Sequence, residues 1–229
     1  MTDIAAIDVS RRAHSKAMRR DAILGAARSL IREYGAQVST ADIALRAGVS
    51  TATVYNLIGP REQLLGLILS ALFEDLKATI KAMGEEDPFL VGHAVVVVSA
   101  QIFIADAQLW LNVLPEIKGA FGLRVQPFVS FQPINLQRQA MTAAKLQGML
   151  TRAADVDMTA TQIYAAYTGA LFLWTDGYLS SDGFLDQARA GYWAVLAALA
   201  SGDHRRRALR ELQSLHSTRK GAHHAKLDE

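Results

Sequence analysis

The chain has 229 residues, about half of them hydrophobic, so it is long enough for one small and one larger domain with buried cores. It contains no cysteine, which excludes disulfides, thiolate metal sites and thiol-based redox switches. The net charge of +2 is unevenly spread: Lys and Arg outnumber Asp and Glu nine to five in residues 1–61, but are outnumbered fourteen to eight in residues 62–203. The first part, rather than the whole chain, is therefore suited to an anionic partner.

Residues 1–18 carry aspartates before any apolar run and do not match a secretory signal, so we expect a cytoplasmic protein that begins with a flexible basic arm. The densest positive cluster lies in and just after this arm: Arg11, Arg12, Lys16, Arg19 and Arg20. Such a cluster could follow DNA phosphates or enter a minor groove. The alternative is a solvated, disordered tail.

A first helix is predicted from apolar residues at helical spacing, and Gly35 ends it: Ile23, Ala27, Leu30, Ile31 and Tyr34. Ser39 and Asp42 then have the spacing of a capping box, which predicts the start of a short second helix. Gly48 tolerates the left-handed backbone of a helix end, so this helix stops there.

Ser50 can cap a third helix, Thr51–Asn56, in which only Val54 is expected to be buried. Its other side chains are small or form hydrogen bonds, which suits a helix whose N-terminal face enters a major groove. The alternative is an ordinary pair of amphipathic helices joined by a capped turn. Gly59 and Pro60 mark a break before a long helix with apolar periodicity.

The stretch from about Arg19 to Leu72 resembles the TetR family of transcriptional regulators. The matching motifs are AARSLIREYG, DIALRAGVS, T-x-Y and G-x-R-E-x-L-L. The resemblance implies an all-α fold with a three-helix, helix-turn-helix DNA-binding domain at residues 19–62. It also implies a larger helical-bundle domain at residues 63–203 that dimerises and binds an effector. Residues 204–229 would form a basic C-terminal helix or tail.

By motif position, the resemblance places Thr51 and Thr53 near base edges or phosphates, Tyr55 and Asn56 on phosphates or the groove rim, and Arg61 on the DNA backbone. The full set of candidate DNA contacts is Ser39, Ser50, Thr51, Thr53, Tyr55, Asn56, Arg61, Arg19 and Arg20. Capping alone accounts for Ser39, and a surface pair with a neighbouring Glu would account for Arg61. Family members commonly have an aromatic residue just after Asn56, whereas Leu57 cannot donate a hydrogen bond to phosphate.

The apolar segment Phe89–Leu114 raises the question of a membrane span. Only twelve uncharged residues separate His93 from Asp106, short of the roughly twenty that a span needs, so no membrane partner is expected. The run Val95–Val98 favours a strand by propensity, but no partner strands are evident. We therefore predict a buried helix over Val91–Leu111, a break near Pro115 and an irregular section up to Pro133.

Three more helices are predicted. One spans Ile134–Ala153, one follows a cap at Asp157 or Thr159 and runs to about Leu179, and one opens at Asp182 or Gly183 and runs to Leu199. The basic run after them is predicted to be a solvated helix face: Arg205, Arg206, Arg207 and Arg210.

The last two of these helices are the predicted dimer surface, because two such hairpins about a twofold axis make a four-helix bundle. The candidate contacts are Trp174, Tyr178, Tyr192, Trp193, Leu196 and Leu199. The alternative is that these aromatic residues belong to the core of one chain. A twofold dimer predicts a palindromic double-stranded DNA operator.

A pocket for a largely apolar or aromatic effector is predicted in the C-terminal body. The candidate lining is His93, Gln101, Phe103, Asp106, Trp110, Phe131, Met141, Tyr164, Tyr167, Thr168 and Phe172. The alternative is that most of these residues are ordinary core. Binding is expected to change the spacing of the DNA-reading helices through the fourth helix and so to release the operator.

The sequence also bears on two other classes of function. No nucleophile–base pair, phosphate loop or metal-ligand spacing appears, so no enzyme activity, cofactor or metal is expected. A DNA-binding or architectural protein without an effector remains as the alternative. A body packed full of side chains would favour it, and a large cavity with converging polar groups would favour the regulated repressor.

Overall fold

The protein is described by a computed structural model that covers residues 2–118 and 133–225, with side chains for residue 11, residues 13–118 and residues 133–215. These residues form helices and no strand, which confirms the all-α class. The helices are α1 (Thr2–Tyr34), α2 (Thr40–Arg46), α3 (Thr51–Leu57), α4 (Arg61–Met83), α5 (Pro88–Ala105), α6 (Ala107–Ile117), α7 (Ile134–Leu146), α8 (Val156–Thr175), α9 (Ser181–Leu199) and α10 (Gly202–Ala225).

The chain divides into two compact units. The first comprises the described parts of residues 1–72 and 106–130, and the second those of residues 73–105 and 131–229. The sequence alone did not place α6 with the N-terminal helices. The domain boundaries predicted at residues 18, 62 and 203 stay predictions.

The first unit is built around α1. Ile23, Ala27 and Ile31 of α1 are fully buried, and Ile43 of α2 and Val54 of α3 are buried with them. Three hydrogen-bonded contacts attach α6 to this unit. Asn112 Nδ2 donates to the carbonyl of Ile31, Gln37 Nε2 donates to Glu116, and the Arg32 guanidinium binds both carboxylate oxygens of Asp106.

In the second unit, α5, α7 and α9 meet at Gly92. Gln137 Nε2 donates to the Gly92 carbonyl at 2.8 Å, and the Tyr192 hydroxyl donates to the Phe89 carbonyl at 2.6 Å. A Cβ at position 92 would lie 2.6 Å from that hydroxyl. Only glycine therefore allows the three helices to meet at this point.

Helices α8 and α9 also approach closely, because Gly191 faces Ala166 with no side chain between them. The turn that precedes α8 is fastened by Lys145, whose ammonium group donates to the carbonyls of Thr151, Arg152 and Ala154. These contacts satisfy backbone carbonyl groups of the turn, which lie outside any helix.

Several predicted boundaries were wrong. The flexible arm is instead the first part of α1, which begins at Thr2. The helix predicted over Val91–Leu111 is two helices, broken at Asp106, and Pro115 lies inside α6 rather than at a break. Helix α7 ends at Leu146, seven residues before the predicted end, because Gly148 turns the chain with φ +71°.

The caps of the later helices also differ from those predicted. Asp155 caps α8 by accepting from the amide of Met158, and Ser180 caps α9 by accepting from the amide of Gly183. Helix α8 ends at Thr175 rather than near Leu179. In α10, Arg207 pairs with Asp87 at 2.6 Å and is not simply solvated. Most of the predicted irregular section, residues 119–132, lies outside the described residues.

Helix α5 has the length and hydropathy of a membrane span, but half of it is buried inside the protein. The run Val95–Val98 lies within this helix and not in a strand. The burial of α5 against its neighbours explains its composition, since a helix that is apolar all round is typical of a protein core as well as of a membrane.

Candidate nucleic-acid interface and the body cavity

Helix α2 begins with the predicted capping box. The Ser39 hydroxyl accepts from the amide of Asp42 at 3.2 Å, and the Asp42 carboxylate accepts from the amide of Ser39 at 3.2 Å. The Ser39 hydroxyl also donates to that carboxylate, and these hydrogen bonds lower the pKa of Asp42. Ser39 is exposed, but its hydroxyl is already engaged by the cap.

The turn into α3 also has the predicted chemistry. Gly48 has φ +67°, and the Ser50 hydroxyl accepts from the amide of Thr53 at 3.1 Å. The turn that leads into this short helix is thereby fixed, so the start of the helix depends little on its own weak propensity.

Helix α3 buries one side and exposes the other. Val54 is buried, as is Ile58 just after the helix, whereas Thr51, Ala52, Tyr55 and Asn56 are exposed, with Tyr55 54% exposed. Such a small and polar face fits a major groove about 12 Å wide. Ala52 was missed in the sequence analysis because it has no polar group, although its spacing from Tyr55 and Asn56 places it on the same face.

Thr53 and Arg61 are placed differently from the prediction. Thr53 is half-buried, and its hydroxyl lies 2.9 Å from that of Ser50, so it supports the cap. Arg61 turns inward: its NH1 group donates to the Val38 carbonyl at 3.0 Å, and its NH2 atom is buried. In this conformation Arg61 braces the segment before Ser39, and its contact with a backbone phosphate stays a prediction.

Ion pairs fix the helices around α3. The Arg46 guanidinium binds both carboxylate oxygens of Glu33 at 3.0 Å and, together with the Ser29 hydroxyl, lowers the pKa of Glu33 to about 2. The Arg32 guanidinium likewise lowers the pKa of Asp106. In contrast, the candidate contacts Arg19 and Arg20 lie on the exposed N-terminal part of α1.

Of the predicted effector residues, Tyr164 and Tyr167 line a cavity among the described residues. Asp106 is paired with Arg32, and both Asp106 and Trp110 belong to the first unit. Gln101 is exposed, and Phe103 and Met141 are buried core residues. Phe131 lies outside the described residues, and Phe172 is half-buried.

His93 is also a packing residue. Its ring lies 5.1 Å from that of Trp193 and 5.6 Å from that of Tyr192, measured between ring centroids. Burial, and then the charges of Arg189 and Arg207, lower the pKa of His93 to about 4. The imidazole is therefore neutral at physiological pH.

A small cavity in the second unit brings Tyr164 and Tyr167 together with α5 and α7. Its volume is about 10 Å³, and its lining is Val95, Val96, Ser99, Pro133, Gln137, Ile163, Tyr164 and Tyr167. Thr168 lies one turn from Tyr164 and donates to its carbonyl at 2.8 Å. A volume of this size is about that needed for one water molecule.

Two buried polar atoms in this lining find no hydrogen-bond partner of ordinary geometry among the described residues, Gln137 Oε1 and the Tyr167 hydroxyl. The second lies near the Ser99 hydroxyl, and burial raises the pKa of Tyr167. Gln137 and Ser99 were not distinguished as a pair by the sequence, because their convergence depends on the packing of α5 against α7.

A larger and open groove of about 520 Å³ lies in the first unit, between α1 and α2. Its polar residues are already paired: Gln37 with Glu116, Asp42 with Ser39, and Arg46 with Glu33. None of the buried, unpartnered side-chain atoms of the described residues belongs to the lining of this groove.

Four of the six predicted dimer contacts are buried within the chain's own core, Trp174, Tyr192, Trp193 and Leu196. Packing in the core of one chain accounts for these four side chains, and their contact with a partner stays a prediction. Tyr178 is 78% exposed and Leu199 is half-buried.

The capped α2–turn–α3 pair packed on α1 defines a helix-turn-helix, DNA-binding protein with a helical body. Residues 23–66 match the family profile described as bacterial regulatory proteins, tetR family. The chain thus carries the N-terminal domain of the TetR family of transcriptional regulators, and its fold is that of TetR-family proteins.

Solved structures of TetR-family proteins share this fold at low sequence identity. Thermus thermophilus FadR, a TetR-family repressor in complex with lauroyl-CoA, is 19% identical over 77% of this chain and 93% of that chain, with a TM-score of 0.65. RolR in complex with resorcinol is 22% identical over 86% and 95%, with a TM-score of 0.60. TylP from Streptomyces fradiae is 20% identical over 91% and 94%, with a TM-score of 0.58. No curated protein sequence matches the chain at a significant level.

Proposed function

We propose that the protein is a sequence-specific repressor that acts in the cytoplasm by placing α3 in the major groove of an operator. The observation that carries this proposal is the exposed face of α3, Thr51, Ala52, Tyr55 and Asn56, on a helix held by caps and by a buried Val54. Small side chains let the helix approach the base edges closely, while Tyr55 and Asn56 supply hydrogen bonds.

Selection of bound sequences from random duplex DNA, at a stated salt concentration, tests this proposal. An enriched motif that is lost in the double variant Thr51→Ala, Asn56→Ala would support it. Salt-sensitive binding without any enriched motif would contradict it, because backbone contacts alone give affinity without sequence preference.

We also propose a homodimer through the outer faces of α8 and α9. Support comes from a stripe of small and apolar residues that a single chain leaves exposed, namely Gly169 and Leu173 of α8 and Ala194 and Ala198 of α9. Small residues allow helices from two chains to approach closely, and the closed result is a four-helix bundle. A twofold dimer would require an inverted repeat in the operator.

For an effector, we propose the cavity beside Gln137 and Tyr167. Among the described residues no charged side chain lines this cavity, and its two unpartnered polar atoms fit a neutral molecule with one hydroxyl or amide group. Any molecule larger than water requires α5, α7 and α8 to move apart, and such a movement is a means of changing operator affinity. The ligands of FadR and RolR, lauroyl-CoA and resorcinol, are those proteins' own.

The small size of the cavity favours a second candidate, a regulator that needs no effector. Thermal-shift screening with neutral phenols, alcohols and amides separates the two. A hit that raises the melting temperature of the wild type but not of Gln137→Leu, and that lowers operator affinity, supports the effector proposal. Binding that is unchanged by both cavity variants, Gln137→Leu and Tyr167→Phe, contradicts this location.

A further inference from the structure

Helix α1 extends well beyond the part that packs in the first unit. Its first buried residue is Ile23, and every described side chain before it, from residue 11 to residue 22, is exposed. Residues 11–20 carry Arg11, Lys16, Arg19 and Arg20 as described basic side chains, and they contain no acidic residue. This segment adds nothing to the core, so its composition calls for an explanation outside the chain.

Three of these basic residues lie on the same side of α1 as its buried residues Ile23 and Ala27. Lys16 precedes Ile23 by seven residues, Arg19 precedes it by four, and Arg20 precedes Ala27 by seven. Residues four or seven apart share one side of an α-helix. Since Ile23 and Ala27 are fully buried in the unit that contains α2 and α3, the three cations lie on the side of α1 that faces this unit, beyond its packed part.

The helical conformation determines how such a segment can meet DNA. A helix with its side chains is about 10–12 Å wide, whereas the minor groove is about 6 Å wide, so it cannot enter that groove as an extended arm would. At 1.5 Å per residue, Arg20, Arg19 and Lys16 lie about 4.5, 6 and 10.5 Å beyond Ile23 along the helix. Their side chains can therefore contact the phosphate backbone next to the helix-turn-helix, where the DNA carries a negative charge about every 1.7 Å.

We propose that residues 11–20 of α1 form a helical, phosphate-binding extension that contacts DNA outside the base pairs read by α3. This inference rests on the proposed operator binding, because the same unit must hold both surfaces on one duplex. The extension adds affinity and footprint length without adding base specificity, since phosphate contacts carry no direct sequence information.

The test uses full-length protein and the triple variant Lys16→Gln, Arg19→Gln, Arg20→Gln. The matched control is Arg205→Gln, Arg206→Gln, Arg210→Gln, which removes the same charge from exposed positions of α10. Affinity for a duplex is measured against salt, with the operator once in long flanking DNA and once trimmed to its half-sites. A footprint on the long duplex completes the set.

We expect the first triple variant to reduce the slope of log K against log salt by about 0.9 for each lost phosphate contact. Its footprint should shorten at the outer edges, and its base preference should stay that of the wild type. The wild type and the triple variant should bind the trimmed duplex with similar affinity. An unchanged slope and footprint, or an equal loss in the α10 control, would overturn the proposal.

Ala17→Pro tests the helical part of the inference without changing charge, because proline interrupts an α-helix. We expect it to shorten the footprint as the triple variant does; a full-length footprint would mean that a flexible arm suffices and would overturn the rigid extension. Failure of operator recognition is distinguishable, since the salt slope is measured equally well on non-specific DNA. The wild type could show no base preference while the triple variant still has a smaller slope of log K against log salt. That result would refute operator recognition by α3 but support phosphate binding by residues 11–20.

Discussion

Arg61 shows how one residue can have a structural role where its motif position suggests a DNA contact. In the structure its guanidinium donates to the Val38 carbonyl, directly before the cap of α2. We predict that Arg61→Gln lowers the free energy of unfolding by about 1–2 kcal/mol, because a charge-assisted hydrogen bond is lost in a half-buried site. Urea denaturation measures this value.

The same variant separates the two roles of Arg61 when DNA binding is measured as well. A bracing residue leaves the salt slope of binding unchanged, whereas a phosphate-binding residue reduces it by about 0.9. Arg20→Gln is the matched control in the same unit, since it removes an exposed arginine and should give the opposite pattern, full stability with a reduced slope. An Arg61 variant of wild-type stability and lower slope would refute bracing.

His93 predicts a dependence of stability on pH. Burial lowers its pKa in the folded protein to about 4, against about 6.5 in the unfolded chain, so the unfolded state binds the proton more readily. The contribution is fully present above pH 6.5 and is lost as the pH falls towards 4, with an upper limit of about 3 kcal/mol. His93→Gln should flatten this part of the stability profile. Identical acid profiles for the wild type and His93→Gln would contradict the assignment.

At the scale of helix pairs, Gly191 sets the distance between α8 and α9. A Cβ at this position would lie 2.9 Å from the Ala166 Cβ, so Gly191→Ala must push the helices apart. We predict a loss of about 1–3 kcal/mol in unfolding free energy from this overpacking. Gly25→Ala is the control, because nothing lies within 4 Å of that site in α1 and alanine should raise stability by about 0.5–1 kcal/mol. A Gly191→Ala protein at least as stable as the wild type would refute close packing at Gly191.

The parts of the fold that follow from local signals were predicted from the sequence, and the parts that depend on distant contacts were not. The Ser39 and Ser50 caps and the Gly48 turn act within a few residues, so α2 and α3 were found at nearly their true bounds. The break at Asp106 coincides with its pairing to Arg32, which is 74 residues away in the chain. No local pattern contains that information.

The candidate sites divide in the same way. The exposed face of α3 follows from helical spacing around one buried valine, and it could be predicted except for Ala52. The inward turn of Arg61 and the convergence of Gln137 with Tyr167 require the packing of separate helices. The burial of Trp193 and Tyr192 could not be predicted without that packing either, because an aromatic residue on a helix suits a core and an interface equally well.

For the whole molecule, the proposed dimer predicts a coupling between assembly and DNA binding. Ala194 is exposed on the outer face of α9, so Ala194→Glu leaves the chain's own core intact but places a charge within the proposed interface. Two such charges about a twofold axis repel each other and lose hydration, which should convert the dimer to a monomer. Sedimentation equilibrium measures the mass, and circular dichroism verifies the helical fold.

Operator affinity should then fall at least about tenfold for an inverted repeat, because each monomer binds a half-site without the effective concentration that its partner supplies. Affinity for an isolated half-site should stay that of the wild type. Ala153→Glu introduces the same charge at an exposed turn of the same unit and should affect neither mass nor binding. If Ala194→Glu is still a dimer, the interface does not lie on this face of α9. If the wild type binds one half-site as a monomer, the operator need not be palindromic.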